Sequence, residues 1–164
     1  MTVAARHTKG KQQRIGLISD THGLVRPEAL EALRDSDLLI HAGDIGKPDV
    51  LAALKRIAPL IAIRGNIDTA PWAKRLTETK RMTVGTIKLY IIHNLKELEF
   101  NPAARGFRLV ISGHSHKPLI ATRDNVLFVN PGSAGPRRFK LPISVARLFV
   151  QGDTFDAEII ELAI

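Results

Sequence analysis

Cysteine is absent from the 164 residues. That excludes disulfides, zinc fingers, iron–sulfur clusters and cysteine nucleophiles. Aromatic residues are sparse, at 5% of the chain, and do not interleave with basic residues in the manner that stacks nucleic-acid bases. No apolar run approaches the roughly 18 residues that a membrane-spanning helix needs. The basic N-terminus has no apolar stretch behind it and does not read as a secretory signal. A cytoplasmic protein without membrane contact is the expectation. The rest of the composition is ordinary, 45% hydrophobic and 24% charged, which excludes disorder over most of the length. One domain is expected at this size.

The formal net charge is +8, which by itself suggests a polyanionic partner. Arg6, Lys9, Lys11 and Arg14 account for half of it, with no acid among residues 1–14. The sequence therefore divides into a basic flexible leader, 1–13, and one domain, 14–164. Nucleic acid remains a possible but not favoured partner.

Within the domain, 15–18, 38–40 and 60–63 are short apolar runs. Pro27 and Pro48 each open a helix, since their fixed φ suits the first helical position. Leu30 and Leu33 share a face of the first. Val50, Leu51, Leu54 and Ile57 are spaced helically in the second. Strand and helix thus alternate, as in a parallel α/β unit. The second half reads as β. Runs 80–84 and 86–92 flank Gly85, 119–122 and 126–129 flank Asp124-Asn125, and 144–150 and 155–162 flank Gly152-Asp153. A buried-type strand, 109–111, lies between, and 93–107 is expected to be partly helical. Two sheets face to face, with helices outside, accommodate both halves.

Five apolar runs end in side chains that bind metals. The first leads into Asp20 and His22, the second into Asp44, and the third into Asn66 and Asp68. The run ending at Ile92 leads into His93, and 109–111 into His114 and His116. In open α/β sheets the carboxyl ends of strands converge on the ligand. Gly23, Gly43, Gly65 and Gly113 stand beside these residues and permit tight turns. Each residue alone has a structural alternative: a turn or cap for Asp20, Asn66 and Asp68, and a satisfied core imidazole for His93. His41 lies inside a strand, where packing competes with hydrogen bonding to a ligand residue. Two imidazoles one residue apart, His114 and His116, are harder to explain by packing.

Asp20, His22, Asp44, Asn66, His93, His114 and His116 are too many donors for one tetrahedral ion and suffice for two if a carboxylate bridges. Nitrogen and oxygen donors without sulfur suit Mn, Fe, Zn, Co or Ni. Paired ions about 3.5–4 Å apart stabilise both attacking and leaving oxygens of an in-line displacement and supply hydroxide near neutral pH. Two carboxylates and a bridging hydroxide leave such a centre at about +1, which attracts a phosphate without trapping it. Phosphoester hydrolysis is the natural reaction.

Asp20-Thr21-His22, Gly43-Asp44, Gly65-Asn66-Ile67-Asp68, His93 and Gly113-His114-Ser115-His116 resemble the signature of the calcineurin-like metallophosphoesterases. Asn130-Pro131-Gly132-Ser133 resembles a turn of the small, single-domain YfcE-type branch. The resemblance covers 14–162. It implies a four-layer α/β/β/α sandwich, with one ion on Asp20, His22, Asp44 and His116 and a second on Asp44, Asn66, His93 and His114. It also implies a preference for Mn and activity on small phosphodiesters. Larger members carry a proton-donating His where this chain has Ile67, so the general acid is unassigned. Asn94 stands where the family has Gly, at a turn that Asn is expected to tolerate in left-handed backbone. Arg64 is a candidate for substrate phosphate. Trp72 is a packing residue or a stacking surface. A non-catalytic scaffold of the same fold and a metal-dependent nuclease are the alternatives, and a homo-oligomer is possible.

Overall fold

The computed structural model describes residues 11–164. Most of the expected leader, including His7, lies outside the described residues. The first strand, β1 (Gln13–Ile18), is followed by helix α1 (Pro27–Ala32), β2 (Leu38–His41), helix α2 (Pro48–Lys55) and β3 (Leu60–Ala62). β4 (Thr79–Val84) and β5 (Ile87–Ile92) form the first hairpin, and β6 (Leu109–Ile111) follows. β7 (Leu119–Arg123) pairs with β8 (Val126–Asn130), and β9 (Ser144–Gln151) with β10 (Thr154–Glu161).

These strands make two sheets of five, ordered β10-β9-β1-β2-β3 and β4-β5-β6-β8-β7. β1, β2 and β3 run parallel in the first, and β5, β6 and β8 in the second. The expected hairpins and parallel unit are therefore all present. The sheets pack face to face over a core that follows the period-2 alternation of their strands. Ile15, Leu17 and Ile40 meet Leu89, Ile91, Leu109 and Ile111, each at most 1% exposed.

Both helices start with proline at their first turn and place an acid there, Glu28 and Asp49, which suits the positive end of the helix. They cover the outer face of the first sheet. Leu33, Val50 and Leu54 pack there on Ile18 and Leu39. A Cβ at Gly16 would come within 2.7 Å of Leu33 and Leu39, so the absence of a side chain sets how closely α1 approaches. α2 ends at Lys55, before the expected Ile57, whose N–H still bonds back to Leu54 in the following turn.

The outer face of the second sheet is covered more thinly. Residues 93–107 form two 3-10 turns, Leu95–Glu97 and Ala103–Arg105, in place of a full α-helix. Leu95, Leu98 and Phe100 from this segment pack on Tyr90, Val110 and Phe128. Tyr90, Val110 and Phe128 lie in one cross-strand row. Asn94 has φ −109°, so the left-handed backbone expected there is not required. Its side chain accepts from Lys96 N–H and starts the first turn. Trp72 is a packing residue at the edge of the helix-side core.

Candidate metal centre

The parallel strands of both sheets discharge their carboxyl ends at one edge of the sandwich. Beyond β1 and β2 the chains stay zipped: Asp20 N–H donates to Gly43 O and His22 N–H to Asp44 O, both at 3.0 Å. Asp20 and Asp44 are buried in consequence. Across the interface, His114 N–H donates to Asp20 Oδ2 at 3.0 Å and Ser133 Oγ–H to Asp20 O at 3.0 Å. The carboxylate of Asp20 is thus fixed by both sheets.

Five of the seven candidate ligands have left-handed backbone: Asp20, His22, Asp44, His114 and His116, with φ between 48° and 70°. Such residues cost on the order of 1–3 kcal/mol each and persist only where the surroundings impose them. Gly65 and Gly113 satisfy a different demand. A Cβ at Gly65 would overlap the backbone and carboxylate of Asp44, and one at Gly113 would overlap the Ser19 side chain.

The donor atoms converge. Asp20, His22 and His116 place one ligand atom each within 4.8 Å of one another, and so do Asp44, His93 and His114. Asp44 Oδ2 lies 3.3 Å from His93 Nε2 and 3.7 Å from His22 Nε2, between the two groups. Asp20 Oδ1 lies 3.4 Å from His116 Nε2. Asn66 joins through its Oδ1, 3.2 Å from His114 Nδ1. All seven residues are therefore brought to one place.

Four buried atoms of this set have no hydrogen-bond partner: Asp20 Oδ1, His22 Nε2, His93 Nε2 and His116 Nδ1. Orphaned buried polar atoms are costly and rare. Three of them face one another around Asp20 and Asp44, which is what a cation-binding cluster requires. The tautomer of His93 agrees. Its Nδ1–H donates to Ala42 O at 2.7 Å, which leaves the Nε2 lone pair for a metal. The residues present fit divalent transition metals of the nitrogen- and oxygen-loving kind.

Electrostatics follow the same geometry. Burial would raise the Asp44 carboxyl, but the His93 imidazole 3.3 Å away, the Ile67 N–H and His22 hold it below its ordinary range. Burial likewise depresses His93, and the carboxylates of Asp44 and Asp20 overcome it and raise the imidazole. In His22 burial wins and the pKa falls.

His41 is settled by its bonds. Thr21 Oγ1–H donates to Ile45 O, so the hydroxyl accepts from His41 Nε2–H at 3.0 Å; His41 Nδ1 accepts Gly43 N–H at 3.1 Å. The ring is neutral and fully buried, and burial lowers its pKa to about 4. It ties the two ligand loops together without touching a ligand atom. Asp68 was undervalued by sequence reasoning. Its carboxylate accepts N–H bonds from Ile45, Gly46 and Gly65 at 3.0, 3.0 and 2.8 Å. Asn130 braces the histidine loop, donating to Gly113 O and Ser115 Oγ. The resemblance marked Asn-Pro-Gly-Ser only as a turn; nothing local signals these bracing bonds or the long-range bonds of Asp68. Ile67 is 40% exposed at the rim, and its backbone N–H donates to Asp44 Oδ1. Arg64 also lies on the rim, with Nη1 donating to Leu76 O and Nη2 3.6 Å from Glu78.

The profile of the calcineurin-like phosphoesterase superfamily domain matches residues 14–153. The chain belongs to that family. A probable metallophosphoesterase of Methanothermobacter thermautotrophicus is 38% identical over 157 residues, covering 89% of this chain and 91% of the relative. Among solved structures, YfcE, a phosphoesterase from E. coli, superposes with a TM-score of 0.64 at 19% identity, covering 92% of this chain and 100% of that one. Vacuolar Protein Sorting 29 from Cryptosporidium parvum does so with a TM-score of 0.76 at 18% identity, covering 94% and 100%. These two likenesses carry the fold, a metallophosphoesterase sandwich. Family membership carries the reaction class, phosphoester hydrolysis with metal. No helix among the described residues is long and apolar enough to cross a membrane.

Proposed function

We propose that the chain is a dinuclear metal-dependent phosphodiesterase, with Mn as the preferred metal and small phosphodiesters as substrates. One observation carries this reading: buried, unpartnered donor atoms from both sheets face one another around Asp20 and Asp44. Asp20, His22, Asp44 and His116 would hold one ion, and Asp44, Asn66, His93 and His114 the other. When bound, such a pair supplies hydroxide near neutral pH and neutralises charge on the phosphoryl oxygens.

The protein's own groups do the positioning. His41 and Asp68 hold the loops of Asp44 and Asn66 against that of Asp20, so the donor set is arranged before substrate arrives. Arg64 keeps its Nε–H and unpaired Nη hydrogens for a substrate oxygen. No side chain is assigned as general acid. Ile67 occupies the corresponding rim position, which favours esters whose leaving group needs no proton.

A scaffold role would be expected to accompany loss of ligands, and the donor set here is complete. A nuclease would need a basic groove beside the donors, and three glutamates line the adjoining cleft. The test is metal analysis together with hydrolysis of a bis-aryl phosphodiester and the matching monoester, with and without Mn²⁺. The expected result is metal-dependent turnover favouring the diester, abolished in Asp44→Asn. Wild-type turnover in that variant refutes the bridging role.

A further inference from the structure

The segment between β8 and β9 carries a basic turn that the donor set does not use. Residues 131–143 hold Arg137, Arg138 and Lys140 and no acid. The start of the segment is pinned to the first ligand loop. Ala134 N–H donates to Ser19 O at 3.1 Å, and Arg26 Nη2–H donates to Gly135 O at 3.2 Å. A Cβ at Gly135 would overlap the carbonyl oxygens of Asp20 and Thr21. Ser144 N–H donates to Ser133 O at 3.0 Å and closes the far end of the segment on the near one.

Within this frame the turn is built outward. Leu141 N–H donates to Arg138 O at 3.0 Å, and Arg137 Nη1–H to Leu141 O at 3.2 Å. Arg137 thus holds the turn itself together. Arg138 is exposed, and its guanidinium has no hydrogen-bond or ion-pair partner among the described residues. It lies near enough to His22 for its charge to oppose protonation of that ring. The His22 side chain is 21% exposed, so the donor set is open on this side. Phe139 follows in left-handed backbone, φ 52°, and is 89% exposed. A bulky side chain at positive φ is an outlier that its surroundings must impose, and no packing of the ring offsets it here.

We propose that the turn 137–141 is a substrate-binding element: Arg138 donates to a phosphoryl oxygen at the His22 side of the donor set, and Phe139 stacks on a flat aromatic arm of the diester. This rests on the phosphodiesterase reading above and names its substrate class. Arg64 stands at the other side, in the cleft lined by Asn66, His93 and His114, so two arginines flank the donors. The planar guanidinium matches the paired oxygens of a phosphoryl group. An exposed ring with two rotatable bonds offers a face to another flat ring at little entropic cost. Three glutamates line the cleft at the Asn66 side, so a lone basic turn suits one phosphate group rather than a polyanion track.

The test uses the full chain with Mn²⁺. For bis(para-nitrophenyl) phosphate, Arg138→Ala should lower kcat/KM about ten- to hundredfold, with metal content and Tm unchanged. Arg138→Lys should recover part of the loss, since lysine supplies the charge without the fork. Lys140→Ala makes the same charge change in the same turn and should stay within about twofold of wild type. Calorimetric titration with diphenyl phosphate and diethyl phosphate gives a readout independent of turnover. Diphenyl phosphate should bind about three- to tenfold tighter. Phe139→Ala should abolish that preference, while Arg138→Ala weakens both ligands. Wild-type kcat/KM in Arg138→Ala, or an equal loss in Lys140→Ala, overturns the phosphate contact and leaves the phosphodiesterase reading standing. If the wild type hydrolyses no diester, that reading fails and calorimetry decides alone. Binding that is absent, or the same in wild type and both variants, overturns the assignment of the turn. Capture on phosphatidylglycerol vesicles that Phe139→Ala abolishes, with both titrations unmoved, overturns it in favour of a lipid surface.

Discussion

Asp68→Asn isolates a residue that places the ligands without being one. The aspartate is 4% exposed and accepts three backbone N–H bonds, two on Oδ2 and one on Oδ1. Asparagine has the same shape. With its oxygen in the Oδ2 position, the bonds from Ile45 and Gly65 survive as neutral ones, and its NH₂ group faces the Gly46 N–H. Hydrogen bonds to charged groups contribute about 1.5–3 kcal/mol each, and an unsatisfied buried donor costs about 1–3 kcal/mol. Losing one such bond and weakening two gives about 3–4 kcal/mol, a large part of a typical stability. For a chain of this length that lowers Tm by about 6–16 °C. Since Ile45 and Gly65 flank Asp44 and Asn66, metal affinity should fall about 10- to 100-fold, as it does when the residues behind metal ligands are changed. Thermal unfolding by circular dichroism and Mn²⁺ titration measure the two effects. A Tm within 2 °C of wild type (about 0.5–1 kcal/mol) and unchanged metal affinity would refute the reasoning.

His41 should make the fold sensitive to acid. Its pKa is about 4 when folded against an ordinary 6.5, so between these values the unfolded chain binds the extra proton and stability falls as pH falls. The gap is worth about 3 kcal/mol, and urea midpoints measured between pH 7 and pH 4 should show it, with a shallower slope in His41→Asn. Gly65→Ala forces a methyl group onto Asp44, so purified protein should carry less than half the wild-type metal; full occupancy would show that the loop can yield. Leu33→Ala removes a fully buried side chain between α1 and β1 and should cost about 2–5 kcal/mol in chemical unfolding, with metal content unchanged.

Much of this architecture was legible because apolar periodicity and strand-end chemistry coincide. Ile15 and Leu17 alternate with outward residues and lead directly to Asp20; Leu109–Ile111 leads to His114 in the same way. The turn glycines and asparagines marked the hairpins. Ile57 kept helical spacing but fell beyond the end of α2, because a partly buried residue in a following turn is apolar too. The cover of the second sheet was not legible as two 3-10 turns, since the positions of Leu95, Leu98 and Phe100 suit a longer helix as well. Asp68 looked like a turn residue because its three partners are set by the meeting of separate loops, and only one of them is near in sequence. The left-handed backbone at five ligands was not legible: Asp and His adopt positive φ more often than most residues, but only a small minority of them do, and nothing else in the local sequence selects these five.

The donors are divided between the two sheets. Asp20, His22, Asp44 and Asn66 follow strands of the first, and His93, His114 and His116 follow strands of the second. Any cation shared among them is therefore a rivet through the sandwich, and its affinity becomes adhesion between the two halves. The same clamp that prepares the chemistry would then govern how long the two halves stay closed when metal is scarce.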